Sequence, residues 1–390
     1  MKKLVLLFII LLTGLTNNSF GQLKMATPYP PQIFHGSDLK SIVYELHLMD
    51  SLQRLIKFLE FIVSSGNIIL LHDSIYETIP KKEEKNRYIK YIWININQPI
   101  RILTHSIKYK IDNKIFSYKK DIIINNDSII SIGFPLKEGI WYMEGGPSAT
   151  SYHRIYTMPV KTRYDSVQNG FKFGLSNQRF AFDIAKVGET GFLYKNDGHK
   201  NCDHYCYAES VIAVANGKVV GVLDSIEENN YPSTIEKKLS KDEMTGNLVM
   251  LDIGNGIIAS YAHLMPNSIR VKVGDFLQKG DFIGKVGNSG NSTAPHLHFH
   301  LSKPDYKLIK NSNITGMFWL SEGIGFVFDK YQKYNVISGK FIDVDGEFDV
   351  GSGKFVVNGE TDFKSEPFIL NNSKDIIKSL PFENEIIGIK

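Results

Sequence analysis

Between Val211 and Gly287 the chain is cut into short apolar runs by glycine, and such a stretch has few ways to bury itself. Val211 to Val222, Gly246 to Gly254, Ile257 to Leu264, Val271 to Gly280 and Phe282 to Gly287 follow one another. Runs this short, rich in valine and isoleucine, read as strands rather than helices. Asn216-Gly217 and Asn255-Gly256 stand between apolar runs. That dipeptide favours a tight hairpin, because both central residues of the turn take positive φ. Repeated hairpins without helices imply a compact antiparallel β domain. Asp224 to Met244 is polar and charged and reads as a solvated loop inserted into it.

The flanking regions also read as β structure. From Gln22 to Ile140 the segments Ile42 to Leu48, Tyr88 to Ile96 and Asp121 to Asn125 alternate and carry many β-branched residues. This favours a sandwich with one core between two sheets. Met49 to Ser64 has apolar residues at helical spacing and fits either a helix or a strand pair. Beyond Tyr306, Gly323 to Phe328 and Lys354 to Val357 are short strands, either an extension of the same sheet or a small appended module. The expectation is an all-β chain. An N-terminal β-sandwich spans 22–140, a compact antiparallel β-sheet domain 141–305, and a C-terminal β extension 306–390.

Residues 1–21 read as a signal peptide. Met1-Lys2-Lys3 is basic, Leu4 to Leu12 is apolar, and Ser19-Phe20-Gly21 supplies small residues at the cleavage point. The apolar run is shorter than the ~20 residues a membrane span needs. No cysteine lies nearby to carry a lipid, and no later segment looks transmembrane. The mature chain, beginning near Gln22, is therefore expected to be exported to the periplasm, cell surface or medium. Net charge is +4 with both signs mixed, which gives no basis for a nucleic-acid partner. Cys202 and Cys206 are the two cysteines, and in an oxidising compartment a local disulfide is the first expectation. Two free thiols, or a second zinc site with His199 and His204, are the alternatives; the spacing is unlike the common structural zinc patterns.

The chemistry concentrates at Pro295-His296-Leu297-His298-Phe299-His300. On a strand, side chains two apart share a face at about 6.5 Å spacing, so the three histidines form a row with Leu297, Phe299 and Leu301 behind them. Such a row is costly to bury without partners, and a metal beside a proton-transfer residue would supply them. Gly287 to Ser292, just upstream, is a glycine-rich turn that could bring backbone close to a bound chain. His263 ends the apolar run Ile257 to Leu264, and Asp183 ends Arg179-Phe-Ala-Phe. One aspartate, one lone histidine and a His-x-His pair make a workable zinc set with an open position for water. His35, His47, His72 and His105 have no partner at ligand spacing and read as structural.

These segments resemble, in order, the lysostaphin- or LytM-type zinc endopeptidases of the cell wall. The likeness covers about Gly145 to Leu301 and is carried by Phe180 to Asp183, Val214 to Val219, Gly246 to Asp252, Tyr261 to Leu264, Val273 to Gly280, Gly287 to Gly290 and Pro295 to Phe299. The resemblance implies that Asp183 and His298 bind zinc and that His296 and His263 form the catalytic pair beside it. It also implies a peptide of peptidoglycan as substrate. The family commonly has a histidine ligand four residues before the aspartate, where this chain has Arg179. In a subgroup that it resembles more closely, a Gly-Pro-Ser…His-Arg segment precedes Gln-Arg-Phe-Ala-x-Asp. Gly146-Pro-Ser148, His153-Arg154 and Gln178 to Asp183 match that pattern, which makes His153 the third ligand. Arg179 cannot ligate, because its guanidinium stays protonated, and reads as a structural or substrate-facing cation. Two rivals remain open at this stage. A degenerate relative would bind peptidoglycan, or activate another hydrolase, without zinc. A biotinyl- or lipoyl-type carrier would share the Val-x-x-Gly-Asp-x-Leu pattern but would need an attachment lysine at a hairpin tip.

Overall fold

The structure is a computed structural model. It describes residues 23–36, 38–50, 56–73, 87–111, 113–125, 128–148, 151–155, 164–165, 171–172, 175–229, 239–309, 314–342, 346–349, 354–357 and 364–390. The expected signal peptide and part of the polar loop after Asp224 lie outside these residues. Among the described residues the chain is nearly all strand, its helices being short, such as Tyr152–Ile155 and Ile314–Trp319. No helix among them is long and apolar enough to cross a membrane.

Two four-stranded antiparallel sheets form the N-terminal sandwich. Lys40–Asp50 is the centre of the first and pairs with Leu23–Ala26, Gln32–His35 and Arg87–Ile96. The second runs Ile68–Asp73, Lys57–Ser65, Ile102–Ile111, Lys114–Ile123. Strict alternation sends Ile42, Tyr44, Leu46 and Leu48 into the space between the sheets, against Phe58, Phe61 and Ile107. The segment that could have been helix is a strand from Lys57 onward. Residues 51–55 of that segment lie outside the described ones; within the strand a bulge between Phe58 and Glu60 lets Phe58 and Phe61, three apart, both face the core. The opposite face of Lys40–Asp50 is buried too. Val43 joins the core of the following sheet, and Glu45 and His47 lie beneath it, 2% and 3% exposed.

The second body is a twelve-stranded sheet. Its middle runs Asn247–Asp252, Ile258–Leu264, Leu297–Pro304, Phe182–Lys186, Gly139–Glu144 and Glu385–Ile389, then Phe326–Ile342 and Lys364–Ser379. Most strands after Tyr306 thus extend this sheet, Glu385–Ile389 hydrogen-bonding to Gly139–Glu144, while Gly346–Asp349 and Lys354–Val357 pair with each other in a separate two-stranded sheet. Val211, Val214, Ile283 and Val286 cover one face, meeting Leu297, Phe299, Leu301, Phe182, Ile184 and Tyr261 in the main core. The other face carries Met250, Ile258 and Ala262, capped by Phe318 and Trp319 of the Ile314–Trp319 helix. Because Phe182 and Ile184 point into the main core, Asp183 between them points to the second face. Because Leu297 and Phe299 do the same, so does His298. Register sets Asp183 directly opposite His298.

Candidate metal centre

Asp183 is the hub. Its Oδ1 lies 2.9 Å from His298 Nδ1 and 3.4 Å from His296 Nε2, and its Oδ2 3.2 Å from His153 Nε2. Tyr152, half exposed, donates its hydroxyl to Oδ2 at 2.5 Å. Burial opposes ionisation of Asp183, but His153 and His296 outweigh it and hold the carboxyl well below the usual carboxylate range. His153, Asp183 and His298, all buried, offer ligand atoms within 4.8 Å of one another. No other such group of three or more histidine, cysteine or carboxylate side chains occurs among the described residues.

Backbone carbonyls choose the tautomers. His153 Nδ1 is 2.8 Å from Gly145 O, His296 Nδ1 2.8 Å from Ala294 O, and His263 Nδ1 2.8 Å from Ser289 O. A carbonyl can only accept, so each Nδ1 carries a proton, and whenever one of these rings is neutral its lone pair is on Nε2. At His153 that lone pair faces a carboxylate oxygen. Acceptor against acceptor at 3.2 Å calls for a cation or a proton between them. A divalent metal meets that need, and a His₂Asp set with a free position is a known zinc arrangement of nitrogen and oxygen ligands. The residues present therefore fit zinc. Gly145, at φ +55°, makes the cradle possible: a Cβ there would sit 2.8 Å from His153 Nδ1 and 2.5 Å from the Tyr152 hydroxyl.

His263 reaches the site through a break in the strand rhythm. Leu264 pairs with Asn247 and Tyr261 with Val249, so the Ile258–Leu264 strand carries one extra residue opposite Leu248. Tyr261 and Leu264 both point into the main core, and His263 is released toward the histidines, its ring 4.9 Å from His296 and 5.9 Å from His298. The residue adopts φ +60°. A non-glycine residue held there stores on the order of 1–3 kcal/mol of strain, which is a common mark of functional sites. The Thr245 carbonyl, accepting from His263 N at 3.1 Å, helps to hold it. Burial first, then His296 and His298, push its pKa well below the usual histidine range. The glycine-rich turn serves this support: Gly290, at φ +77°, lies so close to Gly246 that a Cβ would come 2.2 Å from Gly246 N. Ser289 donates its hydroxyl to Leu264 O at 2.8 Å.

Three further features complete the surroundings of the site, of which only Tyr152 carries no signal in the sequence. His300 Nδ1 is 3.0 Å from His298 Nε2, so the third histidine of the row buttresses the second, and it packs on Phe318. Its position two residues on along the strand was the available clue. Arg179 is structural: 2% exposed, it pairs with Glu45 at 2.6 Å and Glu322 at 2.5 Å. Tyr152 stacks on His153, with ring centroids 4.3 Å apart.

The expected disulfide is absent. Cys202, in the 3₁₀ turn Asn201–Asp203, is exposed, whereas Cys206 is buried in the main core, its thiol donating to Pro295 O at 2.8 Å. Between them, His204 pairs with Tyr194 as an isolated bridge, leaving one thiol exposed and the other buried. His204 is occupied with the Gly198 carbonyl at 3.1 Å, so no second metal site forms there. Burial also pushes the Cys206 thiol up to about 12. In native protein one thiol should react quickly with a thiol reagent and the second only after unfolding. Two unreactive thiols in the native, unreduced protein would contradict this arrangement.

Fold and site together describe a largely antiparallel β protein with a buried His153–Asp183–His298 group that could hold a metal ion. Residues 197–311 match the model described as Peptidase family M23, so the chain carries a peptidase M23 domain. The matched stretch contains His263, His296 and His298 but not His153 or Asp183, whose place in the site rests on the geometry above. An "Uncharacterized metalloprotease" of Buchnera aphidicola subsp. Baizongia pistaciae is 25% identical over 260 residues, 59% of this chain and 63% of the relative. "Peptidoglycan DD-endopeptidase ShyA" of Vibrio cholerae is 43% identical over 56 residues, 14% of this chain and 13% of the relative. Lysostaphin of Staphylococcus staphylolyticus is 46% identical over 55 residues, 14% of this chain and 11% of the relative. In each case the match spans less than two thirds of the relative's own length.

Proposed function

We propose that the chain is an exported zinc metalloendopeptidase that opens peptide cross-links in bacterial peptidoglycan. The observation that carries this reading is the convergence of His153, His296 and His298 on the Asp183 carboxylate, with the His263 ring packed beside His296 and His298. His153 through Nε2, Asp183, and His298 through Nδ1 would hold zinc. When bound, zinc supplies Lewis-acid polarisation of the scissile carbonyl and makes water acidic enough to act as a nucleophile near neutral pH. His296, partly exposed and with its proton committed to Ala294 O, accepts the water's proton at Nε2. Once protonated there, the ring gives that proton to the leaving amine. His263, beside it, shares the proton load and donates to developing negative charge when protonated, a preorganised contact of the kind that dominates many rate enhancements. The domain's relationship to named peptidoglycan endopeptidases supports the substrate class.

Purified protein incubated with cross-linked peptidoglycan should release products with opened peptide bridges and intact glycan strands. The site has no carboxylate pair arranged as in a glycosidase. Newly formed reducing sugars with cross-links intact would reject the proposal.

A further inference from the structure

Both segments that carry the upstream ligands lead to one carboxylate in the other body of the protein. Arg154 follows His153 directly, and Arg179 stands one strand entry before Asp183. Arg154 Nε donates to Glu45 Oε1 at 3.1 Å, and Arg179 Nε donates to Glu45 Oε2 at 2.6 Å. Arg154 also donates to Tyr44 O at 2.8 Å and Ile92 O at 2.6 Å, both on the N-terminal sandwich, and to Ser148 O at 3.0 Å on its own loop. Arg179 adds Gly323 O at 3.0 Å, and its guanidinium lies over the Tyr29 ring at 4.9 Å. Glu45, Arg154 and Arg179 are 2%, 0% and 2% exposed.

A buried charge cluster of this kind is a poor source of stability, since desolvation offsets most of the attraction and apolar replacements often do as well. Its use is geometric. A guanidinium fork accepts few orientations, and these two share the two oxygens of one carboxylate. The helix bearing His153 has four residues and cannot hold its own direction.

We infer that Glu45 is a positioning residue for the metal centre, and that the N-terminal sandwich thereby sets the distance between His153 and Asp183. This rests on the metal assignment proposed above. Partners that orient ligands are typically worth 10–100-fold in metal affinity. Glu45→Gln keeps the shape of the side chain and removes its charge. In the full chain it should weaken zinc binding 10–100-fold, measured by competition with a chromogenic chelator. The zinc-free variant should be less stable than the zinc-free parent, because two buried guanidiniums lose their shared counter-charge, yet still unfold in one cooperative transition. With cobalt in place of zinc, its visible absorption should weaken as the His153 nitrogen is lost. Arg154→Lys, which keeps the charge and loses the fork, should move affinity and spectrum the same way, and it decides the matter if Glu45→Gln does not fold. Parental affinity and spectrum in the folded variants would overturn the inference while leaving the metal site standing. Absence of zinc binding in the parent itself would instead overturn the proposed function.

Discussion

Replacing His153 with alanine should strip zinc from the protein and leave its fold in place. The ring's contacts are local: a hydrogen bond to Gly145 O, the face of Tyr152, and the edge of His298. Gly145 O keeps a partner in the variant, because the Ser151 hydroxyl also donates to it at 2.8 Å. The apolar cores of both bodies lie elsewhere, so the stability loss should stay within the ~1 kcal/mol typical of single substitutions. Two remaining ligands, Asp183 and His298, rarely retain zinc against water. Metal analysis after gel filtration should find the parent with one zinc per chain and the variant with almost none, and peptidoglycan cleavage should fall to background. Stoichiometric zinc in the variant would show that another residue completes the site.

The second large effect separates chemistry from metal holding. His296→Ala should keep zinc and lose turnover by about 10²–10⁴-fold, the scale of a general acid–base group. His263 calls for two variants. Alanine at φ +60° adds backbone strain to the loss of the ring. Asparagine tolerates that conformation, so His263→Asn isolates the loss of the imidazole. Both should retain zinc and fall by a similar factor, which points to the ring rather than the backbone. Zinc loss in His296→Ala would mean that His296 and His298 have exchanged roles. Undiminished cleavage by His296→Ala and His263→Asn would place the chemistry elsewhere.

Much of this molecule is written in local pattern. Alternation along Lys40–Asp50, the Asn255–Gly256 turn and the apolar flanks of His298 each report a neighbour within a few residues, whereas Asn216–Gly217 makes no hairpin, because Ser210–Ile212 and Gly217–Leu223 on either side of it lie in different sheets. Asp183 and His298 were legible because each sits between two core residues on its strand, which leaves it no face but the open one. His153 was legible only through resemblance, since a histidine in a loop carries no periodicity. What escaped depended on distant partners. Glu45 looks like any charged residue on an alternating strand; its burial follows from a second sheet lying across that face. The cysteine spacing suggested a bridge because it says nothing of the turn that sends one thiol outward and the other into the core. The bulge between Phe58 and Glu60 is a change of count that composition does not announce.

The extra residue near His263 bears on which changes of length this chain can absorb. Side chains along a strand obey parity, and the single insertion near the end of Ile258–Leu264 reverses it for everything beyond. A substitution at His263 costs one ring. Deleting one residue between Tyr261 and Leu264 would restore strict alternation, keep both of those side chains in the core, and leave a single residue on the second face where Ala262 and His263 now stand. The core on either side would tolerate the shorter chain, so it is the place for an extra ring beside the histidines, and not the packing, that the added residue provides.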